Sequence, residues 1–227
     1  MMRILVVAVL IALISWGRTT AAAQHEMDVA ESSSWSDRQA LWHRAWAGAV
    51  PGLAADMAIL KIFNIYARAQ AMPTKERAPW WAALHYRLQL AQHMDPYFRD
   101  VYRLTEGLLA YEAQAMHAAV TLLSNSEPWL HSADPLLVAS FIAHQELKDA
   151  SLAIALAKRS AAQPDGSTLA LDFATRLIHR QSGCHVALAF LESRLHTMPE
   201  PYQQGILRRI EQLREDKQCQ QEIQASH

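Results

Sequence analysis

The chain has 227 residues, a length typical of one domain of ordinary size or of a domain with an appendage. It contains 39 Ala but only 7 Gly and 9 Pro, so it is rich in the best helix former and poor in turn residues. That composition excludes a β-sandwich or β-barrel, which needs a turn about every 8–12 residues. The net charge of −1 excludes a strongly basic nucleic-acid-binding protein.

Residues 1–23 have the pattern of an export signal. Arg3 precedes an almost unbroken apolar run over residues 4–17, which is as long as a signal-peptide core of about 7–15 residues and shorter than the roughly 20 that span a membrane. The small residues that end at Ala23 favour cleavage there. The alternative is a retained anchor, because Arg18 separates the apolar run from these alanines. We therefore expect a periplasmic protein, with an inner-membrane tether through residues 4–17 as the alternative.

The next segments are a spacer and a Trp-rich helical region. Residues 24–37 are polar and are predicted to be a flexible spacer. Residues 38–95 form a divergent N-terminal region, with predicted helices over 38–49, 53–70 and 76–94. Trp35, Trp42 and Trp46 share one helical face, for which packing in a core is favoured over a membrane-interface belt.

From Asp95 onward, capping signals recur regularly along the chain. Asp95-Pro96 and Asp134-Pro135 each combine a capping carboxylate with a Pro suited to the first helical position. Asp149 is a further candidate cap. Together with the apolar periodicity, these signals predict helices over 97–112, 115–126, 134–146, 149–162, 167–181, 185–197 and 201–217. The predicted fold class is all-α, since no strand-like alternation is present.

Small and large apolar residues recur with a period of 34 residues. The small position is taken by Ala119, Ala153 and Ala187. Aliphatic or large apolar residues follow one and three positions later, at Val120, Ile154 and Leu188, and at Leu122, Leu156 and Phe190. A 34-residue period with two helices per unit is typical of tetratricopeptide repeats. In such a unit the small residue lets the second helix approach the first.

On these residues the chain resembles the tetratricopeptide-repeat family over residues 96–199. Three short stretches are also similar to exported or membrane-anchored bacterial repeat proteins of unassigned activity, namely Leu53-Ala54-Ala55-Asp56, Met94-Asp95-Pro96-Tyr97-Phe98 and Gly107-Leu108-Leu109-Ala110-Tyr111-Glu112. The resemblance implies an antiparallel helix-pair solenoid of about three units, with a capping helix over residues 200–222. In the family's frame Gly107 takes the small position of the first helix in the first unit, and Phe141 and Thr175 depart from that pattern.

The resemblance also implies a concave surface that holds an extended or helical segment of another protein. The implied partner-binding residues are Tyr111, Glu112, Ile142, Gln145, Glu146, Phe173, Arg176, His179 and Arg180. The cationic end favours a segment that is apolar and ends in an acidic group; the alternative is that Arg176 and Arg180 lie on a solvated helix face. We therefore expect a non-enzymatic scaffold or adaptor of the bacterial cell envelope, with no cofactor, no metal and no nucleic acid.

The alternative function is an enzyme or accessory domain of cell-wall turnover. Helical lytic transglycosylases are exported superhelices, and Glu106-Gly107-Leu108 faintly resembles the segment that carries their catalytic Glu. Other enzyme signatures are missing from the sequence: no two His lie within four residues of each other, and there is no GxSxG, P-loop or GxGxxG motif.

Cys184 and Cys219 are the two cysteines of the chain. An oxidising compartment allows a disulfide between them. Cys184 lies near the start of one predicted helix and Cys219 near the end of a later one, so antiparallel packing of the two helices could bring the thiols together. The alternative is a pair of inert, small buried side chains.

Overall fold

A computed structural model describes residues 51–166, 168–217 and 219–221 of the chain. These residues form helices and turns and contain no strand, which confirms the all-α class. They divide into an N-terminal unit that ends at Asp95 and a C-terminal unit that begins at Pro96. The predicted export signal, the spacer and the first Trp-bearing helix lie outside the described residues. Within the described ranges, no helix is both long and apolar enough to cross a bilayer.

The described part of the N-terminal unit, residues 51–95, is a pair of packed helices, α1 (Pro51–Ala71) and α2 (Ala78–Met94), joined through a short 3-10 turn at Thr74–Glu76. Apolar residues at helical spacing line the interface, namely Ala55, Ile62, Ile65 and Ala69 of α1 with Trp81, Leu84, Leu88 and Ala91 of α2. Tyr66 and Trp81 meet with their ring centroids 5.9 Å apart. Trp81 is therefore a core residue of this helix pair.

The C-terminal unit contains eight described helices. In chain order they are α3 (Arg99–Leu108), α4 (Met116–Ser124), α5 (Glu127–Leu130), α6 (Ala133–Gln145), α7 (Ala150–Ala161), α8 (Thr168–Ser182), α9 (Cys184–Leu195) and α10 (Glu200–Glu215). Apart from the four-residue α5, each helix packs against the next one along the chain, and α10 also contacts α8. Neighbouring helices in sequence are therefore neighbours in space.

The 34-residue period marks equivalent buried positions. Ala119, Ala153 and Ala187 are the fourth residues of α4, α7 and α9, and all three are completely buried. At the second of them, the Ser140 hydroxyl of α6 donates a hydrogen bond of 2.7 Å to the Ala153 carbonyl of α7. The helices α6 and α7 are therefore in direct contact at this small, buried residue.

Gly107 does not have the packing role predicted for it. It is exposed on α3, and a Cβ atom built at this position would meet nothing within 4 Å. Among its counterparts in the 34-residue frame, Phe141 is 48% exposed and Thr175 is completely buried. The first helices of the predicted units therefore do not share a small buried position.

The two predicted Asp-Pro caps are wrong, whereas the cap at Asp149 is confirmed. Asp149 accepts a 2.9 Å hydrogen bond from the backbone N–H of Leu152, and this bond lowers the pKa of its carboxyl. Asp95 instead follows the last residue of α2, and Asp134 lies inside the first turn of α6. The N-terminus of α6 is capped by a distant residue, because Asp165 accepts from the Ala133 N–H at 2.7 Å.

Candidate functional site

An apolar groove with a volume of about 540 Å³ lies between α6 and α8. We call it the α6–α8 groove. Its walls are side chains of these two helices, with one residue from the turn after α3 at the edge. The lining residues are Tyr111, Leu137, Val138, Phe141, His144, Gln145, Leu169, Phe173, Arg176, Leu177 and Arg180. Pockets of this size typically hold part of a ligand or partner.

The helical repeat explains why these residues share one surface. On α8, Leu169, Phe173, Arg176 and Arg180 follow each other by four, three and four residues, which keeps them on one face of a helix. On α6, Ala139 and Ala143 are completely buried on the opposite side. The face of α6 that carries these alanines therefore packs into the core, and a different face of the helix lines the groove.

Aromatic rings line the groove. Phe141 and Phe173 lie with their ring centroids 6.3 Å apart, and the His144 ring meets Phe173 edge-on at 6.4 Å. Several large apolar side chains remain open to solvent: Tyr111 is 74% exposed, Leu169 59% and Phe141 48%. Contiguous exposed apolar surface of this kind marks binding sites on soluble domains.

The charge of the groove is positive at one end. Arg176 and Arg180 are exposed and lie one helical turn apart, and no carboxylate is among the lining residues. The nearby Asp172 carboxylate is 3.8 Å from the guanidinium of Arg209 on α10. Within the described residues, neither Arg176 nor Arg180 forms an ion pair, so both guanidinium groups can bind an anionic group of a ligand.

Five of the nine predicted partner-binding residues line the groove, namely Tyr111, Gln145, Phe173, Arg176 and Arg180. The others lie elsewhere. Ile142 is only 3% exposed and belongs to the core, while Phe141, one residue earlier, takes the position on the wall. Glu112 and Glu146 are not among the lining residues, and His179 lies beside the cysteines.

Sequence reasoning missed Phe141, His144 and Leu169 as lining residues. The repeat frame assigned position 141 to a packing contact and gave no role to the other two. A signal was present, however, because Phe141 and Gln145 are four residues apart and His144 lies between them on the same side of α6.

Cys184 and Cys219 are joined as a disulfide, with their Cα atoms 5.3 Å apart. Both are completely buried, whereas His185, the next residue after Cys184, is exposed. One ring nitrogen of His179 lies within 4.8 Å of both sulfur atoms. No short spacing of His residues in the sequence indicates this cluster, because its members come from three separate segments.

Glu106 on α3 is a half-buried carboxylate in an unfavourable electrostatic environment. Burial raises the pKa of its carboxyl above the ordinary value, and the negative charge of Asp134 raises it further, while Arg103 acts in the opposite direction. Such a shift is typical of a general acid and equally of a carboxylate that is partly desolvated by packing.

No known family model matches the chain, and no curated protein or solved structure matches it either. The geometry of the α6–α8 groove is therefore the main evidence about function.

Proposed function

We propose that the protein is a non-enzymatic scaffold or adaptor of the bacterial cell envelope, which holds a segment of another protein in the α6–α8 groove. The observation that carries this proposal is the open apolar groove itself, with Tyr111, Phe141 and Leu169 exposed along it. Leaving these side chains in water costs free energy that a partner recovers by covering them.

The architecture we infer is a stack of about three tetratricopeptide-like helix pairs, α3–α4, α6–α7 and α8–α9, with α10 as the cap. The equivalent buried alanines and the packing of each long helix on its successor support it. In such a stack the first helices of the pairs line the concave side. The groove between α6 and α8, the first helices of the second and third pairs, fits that arrangement.

The partner segment we infer is extended or helical, apolar along its length and acidic at one end. The aromatic rings of the groove supply anchoring sites for apolar side chains, which carry most of the binding energy at interfaces. Arg176 and Arg180 supply guanidinium groups that can each bind a carboxylate in a bidentate geometry. The apolar contacts would provide affinity, and the arginines would fix the direction of the segment.

The proposed location is the periplasm, after export by residues 1–23. N-terminal sequencing of the chain recovered from the periplasm of its source cells tests this proposal. Release after Ala23 gives a chain that begins at Gln24. A chain that keeps residues 4–17 and sediments with the membrane supports the tethered alternative instead.

Photocrosslinking in source cells tests the scaffold proposal. A photoreactive phenylalanine that replaces Tyr111, on the groove, is compared with the same substitution at Tyr202 of α10, which is 41% exposed. We expect a discrete protein adduct from position 111 and none of that mass from position 202. Equal adducts from both positions, or none from position 111, would contradict the proposal.

A specific observation favours the cell-wall alternative, namely the raised pKa of the Glu106 carboxyl. A lytic enzyme needs a protonated acid of this kind. The test is the loss of turbidity of a peptidoglycan suspension on addition of the purified chain from Gln24 onward. Clearance that disappears in Glu106→Gln supports the enzyme; unchanged turbidity supports the scaffold.

A further inference from the structure

A second cluster of chemically reactive side chains lies where three segments of the C-terminal unit meet. His179 is in the last turn of α8, Cys184 is the first residue of α9, and Cys219 belongs to the short helical segment that follows α10. Each offers one ligand atom, and these atoms all lie within 4.8 Å of one another. The cluster is separate from the residues that line the α6–α8 groove.

We propose that the reduced form of the protein binds one zinc-like metal ion through the Cys184 and Cys219 thiolates and the His179 imidazole. Thiolate sulfur and imidazole nitrogen are the donor set that Zn²⁺ prefers in proteins. With Zn–S bonds of about 2.3 Å and Zn–N bonds of about 2.0–2.1 Å, ligand atoms of one tetrahedral site lie roughly 3.5–4 Å apart. The two sulfur atoms, which are bonded to each other in the oxidised chain, must move apart to that separation after reduction. The His179 nitrogen, which lies within 4.8 Å of both, needs to approach them by about 1 Å or less.

The surroundings of the three side chains suit a metal site with one open coordination position. Both cysteines are completely buried, which shields the metal–sulfur bonds from water, whereas His179 is half-buried at the edge of the cluster. Two thiolates and one imidazole occupy three positions of a tetrahedron, and the exposed side leaves the fourth for a water molecule. Three protein ligands with one open position is the arrangement of zinc sites that bind exchangeable ligands.

The disulfide and the metal site exclude each other, since they use the same sulfur atoms. A dithiol reductant opens the bond by thiol–disulfide exchange: it gives up two electrons and two protons, leaves as its own cyclic disulfide, and two cysteine thiols form. Binding of a divalent ion then displaces the two thiol protons. The redox state of this one cysteine pair thus decides whether the site exists.

Cobalt titration of the full-length reduced protein tests the proposal. The chain is reduced with a dithiol, the reductant is removed under anaerobic conditions, and a thiol titration establishes that two thiols are free. Co²⁺ is then added while the thiolate-to-cobalt charge-transfer band and the visible bands of tetrahedral cobalt are recorded. Two variants are measured in parallel: His179→Ala removes the proposed ligand, and His185→Ala removes the exposed neighbouring imidazole as the matched control.

We expect one Co²⁺ per reduced chain with both sets of bands, displacement of the cobalt by Zn²⁺, and no such bands in the oxidised chain. His179→Ala should weaken binding about tenfold or more, and His185→Ala should leave it unchanged. Two free thiols without a charge-transfer band would overturn the proposal, as would equal affinities of the two variants.

Circular dichroism keeps the test decisive if reduction unfolds the chain. In that case Zn²⁺ should restore the helical signal of the reduced protein, because binding to a site that exists only in the folded state drives folding. A reduced chain that stays unfolded at saturating Zn²⁺ would overturn the proposal.

Discussion

Ala153 is fully buried where α7 lies so close to α6 that the Ser140 hydroxyl bonds to its carbonyl at 2.7 Å. A larger side chain at this fully buried position would have to displace its neighbours. We predict that Ala153→Leu lowers the free energy of unfolding by about 1–3 kcal/mol, the usual cost of overpacking a tight core. Urea denaturation followed by circular dichroism measures it.

The matched control for this substitution is Ala155→Leu on the same helix. Ala155 is exposed, so the added carbons stay in solvent and the free energy of unfolding should change by no more than about 0.5 kcal/mol. Equal losses in the two variants would show that helix propensity, and not the contact with α6, decides the outcome.

Glu106 makes the stability of the C-terminal unit depend on pH. Its pKa is raised in the folded state, so the folded chain binds the proton more tightly than the unfolded chain does. Stability therefore falls as pH rises from the unfolded pKa, near 4.5, through the folded pKa, and the full penalty is present at neutral pH.

We predict that Glu106→Gln stabilises the protein at pH 7 and that this advantage shrinks as pH falls through the same window. Thermal melts of both proteins between pH 4 and pH 7 measure the difference. An advantage that grows toward acid pH would contradict the assigned direction of the pKa shift.

The residues of the groove were partly predictable from the sequence, and the incorrect placement of Ile142 on the groove has a simple geometric cause. Successive residues of an α-helix are rotated by about 100°, so an error of one position moves a side chain from the wall to the core. That is the difference between Ile142, which was predicted to line the groove, and Phe141, which does so. On α8 the prediction had the correct phase, and Phe173, Arg176 and Arg180 line the groove.

At the scale of an element, the start of α6 depends on a residue that is distant in sequence. The two carboxylate oxygens of Asp165 accept from the Ala133 N–H and from the Ser132 hydroxyl, each at 2.7 Å. We predict that Asp165→Ala lowers the free energy of unfolding by about 1 kcal/mol, the typical value of an N-terminal cap. Chemical denaturation of the variant measures this loss.

Asp134→Ala is the matched control, because Asp134 is the cap that the sequence pattern suggested. It lies exposed in the first turn of α6, where the helix dipole contributes a few tenths of a kcal/mol of stability. Its repulsion of the Glu106 carboxylate acts in the opposite direction, so we expect little net change. If Asp134→Ala costs more than Asp165→Ala, the assignment of the cap is wrong.

Most long helices were predictable from apolar periodicity, since a repeat of about 3.6 residues is a local property of the sequence. The four-residue α5 was missed, because tertiary contacts hold it. Its Glu127 accepts hydrogen bonds from Arg159 at 2.9 Å and from Gln163 at 3.0 Å, and both residues lie more than 30 positions away along the chain. Such contacts carry no local signal.

At the scale of the whole molecule, the bond between Cys184 and Cys219 closes a loop with a sequence separation of 35 residues. Loss of this crosslink increases the entropy of the unfolded chain. For a loop of this length, the loop-closure relation puts the resulting loss in the free energy of unfolding at about 3–4 kcal/mol. We predict a decrease of that size in the free energy of unfolding of Cys184→Ala/Cys219→Ala, measured by urea denaturation with a metal chelator present.

Reduced wild-type protein under the same conditions should resemble the double variant. A double variant as stable as the oxidised chain would mean that the disulfide does not constrain the unfolded state. The pairing itself was among the sequence-based alternatives, whereas the approach of His179 was not, because no short motif connects residues 179, 184 and 219.

The most direct test of the scaffold account combines the crosslinker at position 111 with reversal of the cationic end of the groove. Arg176→Glu/Arg180→Glu is compared with Arg208→Glu, a charge reversal at an exposed residue of α10. The account predicts that the discrete adduct formed from position 111 decreases at least about tenfold in the double variant and persists in Arg208→Glu. An adduct of undiminished yield in the double variant would contradict it.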